Sequence, residues 1–325
     1  MKSPGRGNMA RENILKRVRR RLGLCIEQHF INSILEYCKN PLYHNKQPAD
    51  YLSIVACIKD EAPYLHEWIE YHKLVGVSKF YLYDAATDNT RDVLEPYIKS
   101  GEVVYVRATE RGIQLRCYND FLSKYRWNSQ WAAIIDADEY IVPADTESTL
   151  PKILNDFEKY PAVGVNWVMY DSNGHDKKPD GLITRNYTRT YAERNHPTNR
   201  HIKSIINPRK VLFCPNPHFC MYTPLSRKRH AVTENFEQMR GSIFDGKSLA
   251  FTKQNSIRKI RINHYYSKSK EEFEKKASRG LADYKSRYIT VTEDKYNFPE
   301  TMMQDTIMHT YIHTLEERIS KIDLE

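Results

Sequence analysis

The chain has 325 residues, 40% of them apolar and 28% charged, with 50 Lys and Arg against 41 Asp and Glu for a formal net charge of +9. That much apolar side chain fills a sizeable core, which excludes a disordered or fibrous chain and points to one large α/β domain with appendages. No run approaches the ~18 consecutive apolar residues of a membrane-spanning helix. The start is basic but lacks the apolar segment and cleavage site of a secretory signal, so a cytoplasmic protein is expected.

In chain order, the basic excess comes first. "RENILKRVRRRLGL" places Ile14, Leu15, Val18 and Leu22 on one side of a helix and arginines on the other. A helix of this kind suits an anionic membrane surface, a solvated helix docked on the domain being the alternative. Residues 1–48 are read as a basic helical arm, 49–290 as the main domain and 291–325 as a C-terminal helical extension.

Strands are predicted at "YLSIVACI" (51–58), "KFYLYD" (79–84), "EVVYVR" (102–107) and "WAAIID" (131–136), all rich in β-branched and aromatic residues. The helical segments between them are "YLHEWIEYHKLVG", stopping at Gly76, "NTRDVLEPYIKSG", broken near Pro96, and "IQLRCYNDFLSKYR". Such alternation implies βαβ units and a mostly parallel sheet flanked by helices. The second half reads as mixed strands and loops on the same sheet, then a charged helix, "KSKEEFEKKASRG", closed by Gly280. Cys25, Cys38, Cys57, Cys117, Cys214 and Cys220 form no C-x-x-C pair and lie in or beside apolar segments, which reads as reduced core thiols.

Acids gather where these strands end: Asp60 and Glu61 after the first, Asp84 at the second, Asp136 and Asp138 after the fourth, with Glu139 behind them. Parallel sheets bind ligands beyond the carboxyl ends of their strands. A D-x-D there suits a hard divalent cation, Mg2+ or Mn2+, with oxygens from the protein on one side and substrate phosphates on the other. Such an ion neutralises a diphosphate as it departs. The alternative for a lone D-x-D is a solvated turn.

Three blocks in order, "IVACIKDEAPYLHEWIEYHKLVGVSKFYLYDAATDNTRDVL", "WAAIIDADEYIVP" and "INHYYSKSKEEFEKKASRG", resemble the glycosyltransferases of family 92 and related family-2-like bacterial enzymes. The resemblance runs from about residue 51 to about 282. It implies a GT-A fold, a nucleotide-sugar donor, a divalent metal and inversion at the anomeric carbon. It also implies that Asp84 meets the base of the nucleotide, that Glu61 and Asn119 lie near the nucleoside, and that Asp136 approaches the ribose. Asp136, Asp138 and His264 make the expected metal set, and Lys268 either assists the phosphates or is a solvated charge.

Inversion needs a group that takes the acceptor hydroxyl's proton. His218, in "CPNPHF", is the first candidate and joins Asp138 as the expected catalytic pair; Asp171 and Glu234 stay open. The family loop reads like "FGSNGH" where this chain has "YDSNGH", which favours acceptor binding for Asp171 and His175. Trp167, Tyr170 and Tyr191 are candidates for stacking on sugar rings.

The expected function is transfer of a hexose, galactose leading, from a UDP-sugar to a saccharide or lipid-linked glycan acceptor of a surface polysaccharide. The alternatives are a nucleotidyltransferase of similar topology, which lacks its Gly-rich phosphate loop here, and a catalytically inactive membrane-associated scaffold. The positive charge is not organised as a nucleic-acid-binding motif.

Overall fold

A computed structural model describes residues 28–39, 47–108, 113–223, 228, 230–239, 249–279, 290–300 and 302–322. The amphipathic run with Ile14 to Leu22 lies outside them, as do Cys25 and Gly280.

Nine strands form one sheet: β1 (Asp50–Ile58), β2 (Lys79–Asp84), β3 (Val103–Arg107), β4 (Ser129–Ile134), β5 (Glu139–Pro143), β6 (Ala162–Met169), β8 (Ile202–Ile206), β11 (Val232–Thr233) and β12 (Ile260–His264). Their order is β3-β2-β1-β4-β8-β6-β12-β5, with β11 beside β6. Strands β3, β2, β1 and β4 pair in parallel. Strand β8 runs antiparallel between β4 and β6, and β5 closes the edge antiparallel to β12. Two small ribbons, β7 (Arg189–Tyr191) with β13 (Met302–Gln304) and β9 (Val211–Phe213) with β10 (Met221–Tyr222), complete the strands described.

The longer helices of the described residues are α1 (Gln28–Lys39), α2 (Leu65–Leu74), α3 (Gln114–Lys124), α4 (Lys270–Arg279) and α5 (Ile312–Ile322); α2 and α3 pack on the sheet, α1 packs on α3 and α5 on α2. The faces of β1 explain the layering. Leu52, Ile54, Ala56 and Ile58 point into the core that holds Trp68 and Tyr71 of α2, whereas Val55 and Cys57 point to the core with Tyr118, Phe121 and Leu122 of α3. Alternation of side chains along a strand thus feeds both helical layers. The segment with Pro96 breaks as its chemistry requires, into Thr90–Val93 and Glu95–Lys99. Helix α2 ends at Gly76, whose φ of +103° suits glycine and where a Cβ would lie 2.6 Å from Pro151 Cδ.

Both ends of the described chain are tied to this body. The Arg126 guanidinium, fully buried, donates to Ser33 O (2.8 Å) and Ser33 Oγ (2.6 Å) of α1 and to Val211 O (2.8 Å). At the other end, Phe298, Met308 and Leu315 belong to the same core as Trp68. Cys57, Cys117, Cys214 and Cys220 are buried, while Cys38 is exposed on α1. No helix of the described residues is long and apolar enough to cross a membrane.

Candidate active site

The carboxyl ends of β1, β2 and β4 lie side by side, and His264, the last residue of β12, pairs in register with Glu139. The D-x-D is the tight turn from β4 into β5. Glu139 N–H donates to Asp136 O (3.1 Å), and Asp136 N–H donates to the Glu139 carboxylate (2.9 Å). Five apolar-rich residues after the acids therefore return as a strand of their own, which the sequence reading did not separate.

This turn sends its two aspartates in different directions. Asp138 is buried; its Oδ2 accepts from Lys276 Nζ at 2.6 Å and its Oδ1 stands 3.5 Å from His264 Nε2. Burial alone would raise its pKa, but Lys276 and then His264 hold the carboxyl well below the usual range. Asp136 accepts from Gln114 Nε2 (2.8 Å) and from Lys203 Nζ (2.8 Å), which comes from the middle of β8 and is 1% exposed. Glu139 is fully buried, and burial pushes its carboxyl up well above the usual range, against the pull of Lys203. Its Oε1 lies 4.0 Å from His264 Nδ1, and neither atom has a hydrogen-bond partner among the described residues. Burial lowers the pKa of His264, against the pull of Asp138.

Of the expected metal set, Asp138 and His264 converge: an oxygen and an imidazole nitrogen 3.5 Å apart face one another as two ligands of one ion would. Asp136 is turned away to Lys203 and Gln114. No group of three or more Asp, Glu, His or Cys that could hold a metal occurs among the described residues.

Glu61 is buried and accepts from Lys268 Nζ at 2.7 Å. Lys268 is therefore not a solvated charge; it is 7% exposed, sits in a left-handed conformation (φ 53°), and stands 4.1 Å over the Tyr64 ring. Strain of this kind in a non-glycine residue persists where surroundings enforce it. Lys178, Lys268, Lys275 and Lys276, with Asp60, Glu61, Glu272 and Tyr64, line a cavity of about 180 Å³.

Asp84 ends β2 as expected, and its carboxylate is engaged by Tyr105 Oη (2.7 Å), Arg107 Nη1 (2.8 Å) and its own turn at Ala86 N (2.7 Å). Asn119 is not brought to these groups. It is fully buried and clamps α3 to the following loop, donating to Leu115 O (2.7 Å) and Cys214 O (2.8 Å) and accepting from Cys214 N (2.9 Å).

His218 is brought in by a cluster of rings. Trp167 of β6 lies 4.5 Å from His264, 4.8 Å from His201 and 5.5 Å from His218 between ring centroids. His218 Nδ1 is 2.8 Å from Ile202 O, so Nδ1 carries the proton and Nε2 the lone pair. Burial, then Lys203, lower its pKa to about 3.

The other base candidates hold structure. Asp171 accepts from Arg189 through both oxygens (Nε to Oδ1 2.9 Å, Nη2 to Oδ2 2.5 Å), and Glu234 accepts from Ser256 Oγ and from Lys259 N (2.5 Å) ahead of β12. His175 lies at the start of α4, where its carbonyl accepts from Lys270 N (3.0 Å). Tyr191 is stacked between His196 and Phe298, and Tyr170 is buried against Tyr265, so both rings are spent on packing. Lys203 and Lys276 were not singled out beforehand, and Glu139 only as the third acid behind the D-x-D. Lys203 alone carried a signal, a lysine inside the apolar run "HIKSII".

The family model for glycosyltransferase family 92 matches residues 53–321. A glycosyltransferase family 92 protein of rice (Oryza sativa subsp. japonica) is 26% identical over 185 residues, which is 51% of this chain and 28% of that protein. The galactan beta-1,4-galactosyltransferase GALS1 of Arabidopsis thaliana is 29% identical over 132 residues, 37% of this chain and 24% of that protein. The chain thus spans about a quarter of the length of these curated relatives. Among solved structures, glucosyl-3-phosphoglycerate synthase from Mycobacterium tuberculosis, with Mn2+, UDP and glucosyl-3-phosphoglycerate, overlaps 36% of this chain and 44% of its own at 17% identity. Its TM-score of 0.26 is too low to bear on the site. The mixed α/β sheet, with four parallel strands and an antiparallel edge, is the GT-A type expected from the resemblance. The chain belongs to glycosyltransferase family 92.

Proposed function

We propose that this chain is a metal-assisted, inverting glycosyltransferase that moves a hexose, galactose in first place, from a UDP-sugar to a glycan acceptor of a surface polysaccharide. The observation that carries the reading is the buried Asp138–His264 pair at the carboxyl ends of the sheet, beside a lysine-lined cavity. Family membership supports transfer, and the likeness to a galactan galactosyltransferase supports galactose.

Asp138 and His264 are the residues that would hold the divalent cation. When bound, such an ion neutralises charge on the departing diphosphate. The chain's own groups account for the rest. Lys268 and Lys276 present ammonium groups to the cavity, where phosphate oxygens would find charge-assisted hydrogen bonds. His218, neutral with its lone pair on Nε2, is in the form that accepts the acceptor hydroxyl's proton while the bond from that oxygen to the anomeric carbon forms and the bond to the diphosphate breaks. A pKa of about 3 is low for a base at neutral pH, and an anionic diphosphate nearby moves it upward.

A panel of nucleotide-sugars, scored by thermal stabilisation and slow hydrolysis with Mn2+, with Mg2+ and with chelator, tests the reading. Stabilisation by one UDP-sugar that chelator removes, and that Asp138→Asn no longer shows, is the expected result. Binding of no nucleotide-sugar under any metal condition would end the transferase reading.

A further inference from the structure

Each aspartate of the D-x-D carries its own lysine, and the two lysines differ in what surrounds them. Lys203 rises from the middle of a sheet strand, is 1% exposed, and holds Asp136 with Glu139 3.9 Å away. Sheet and carboxyls enclose it. Lys276 comes from the middle of α4; it bonds Asp138 Oδ2 at 2.6 Å and Tyr266 O at 2.9 Å, lies 4.0 Å over the Tyr266 ring, and is 18% exposed. It also lines, with Lys178, Lys268, Glu61 and Glu272, the cavity of about 180 Å³, so it has space to turn into.

A hard divalent cation held by Asp138 and His264 would bind an oxygen of the Asp138 carboxylate directly. An ammonium group 2.6 Å from the other oxygen of that carboxylate is then a like charge within a few ångströms in a buried site. It has to leave, and leaving without a new partner strands a charge away from water. A diphosphate in the adjoining cavity is such a partner.

We propose that Lys276 is a tethered counter-ion that reserves the cation seat on Asp138 until the donor arrives: cation binding displaces the ammonium, which turns into the cavity and meets the diphosphate. Cation and nucleotide then bind as a coupled pair, each weakly alone. The inference rests on the glycosyltransferase reading above and assigns the coupling to one positioning residue. By linkage, the factor by which UDP tightens the cation equals the factor by which the cation tightens UDP.

The test is Mn2+ binding followed by electron paramagnetic resonance, with and without saturating UDP, after subtraction of the Mn2+–UDP complex formed in buffer. It compares the full chain with Lys276→Met, Lys276→Gln and Lys276→Arg, each checked for a cooperative melt. For the unaltered chain, UDP should tighten Mn2+ by roughly 5- to 150-fold, the usual range of coupling between linked sites. Lys276→Met should bind Mn2+ alone more tightly than the unaltered chain and gain less from UDP than it does, the cation's own attraction for the diphosphate remaining; Lys276→Gln gives the same comparison if the methionine variant does not fold. Lys276→Arg should keep the coupling. If the unaltered chain binds Mn2+ with UDP, yet the neutral variants bind Mn2+ alone no more tightly than it does, the counter-ion role is wrong while the cation seat stands. Equal Mn2+ affinity of the unaltered chain with and without UDP overturns the coupling. If no protein binds Mn2+ under either condition, the metal reading itself fails and the inference falls with it.

Discussion

Asp305 offers a pH experiment whose size follows from its contacts. Its carboxylate accepts from Arg261 Nη1 (2.8 Å) and Nη2 (2.7 Å), and from Arg194 Nη2 (2.9 Å). Burial alone would raise its pKa, but Arg261 first and Arg194 second bring it down to about 2 from an ordinary 3.8. A folded value below the unfolded one means stability that is present above pH 3.8 and lost as the pH falls toward 2. The shift corresponds to about 2 kcal/mol at neutral pH, of which about half is gone at pH 3. Asp305→Asn keeps the shape and removes the titration. It also leaves Arg261, 7% exposed in its side chain, without its carboxylate, for a loss of about 3–5 kcal/mol at pH 7. Urea unfolding of both proteins at pH 7, 5 and 3 should show the gap between them narrowing by about 1 kcal/mol at the acid end. A gap that stays constant across that range would refute the ion-pair account. A gap near zero at pH 7 would refute the claim that residues 302–322 are part of the domain body.

Replacing Arg126 with Met removes a fully buried guanidinium and strands the carbonyls of Ser33 and Val211. It should cost about 3–5 kcal/mol in urea unfolding. A loss under about 1 kcal/mol would mean that α1 is not fastened through this residue. His218→Ala should lower turnover by about 10²–10⁴-fold, the range for a general base, with donor binding unchanged. Weakened donor binding with intact turnover would take His218 out of the proton transfer.

The parallel half of the sheet was legible because β-branched and aromatic runs alternate with segments of helical period and end at glycines that tolerate positive φ, as at Gly76. Strand β5 was not, because no Gly, Pro or Asn separates "WAAIID" from "EYIVP". The reversal is made by the acids themselves, through the bond from Asp136 N–H to Glu139. The negative half of the site was readable as acids after strands. Its positive half was hidden: Lys276 stands in "KSKEEFEKK", where nothing distinguishes the lysine that turns inward from its solvated neighbours. Asn119 shows the converse, since a polar residue on the inner face of a helix reads alike whether it meets a ligand or the backbone of Cys214.

The pairing of acid with lysine also says what can enter this site. Asp138 with Lys276, Asp136 with Lys203 and Glu61 with Lys268 are each close to neutral, and burial pushes the Glu139 carboxyl up, against the pull of Lys203. With the carboxylates already matched, a divalent cation alone adds uncompensated positive charge to a buried place, and a diphosphate alone adds uncompensated negative charge; either is costly away from water. Bound together they cancel, and each lysine that leaves its carboxylate has a phosphate oxygen to meet. A site composed only of carboxylates would take the cation first and hold it. On the proposed reading, the three matched ammonium groups favour a balanced pair of cation and nucleotide-sugar over either one alone.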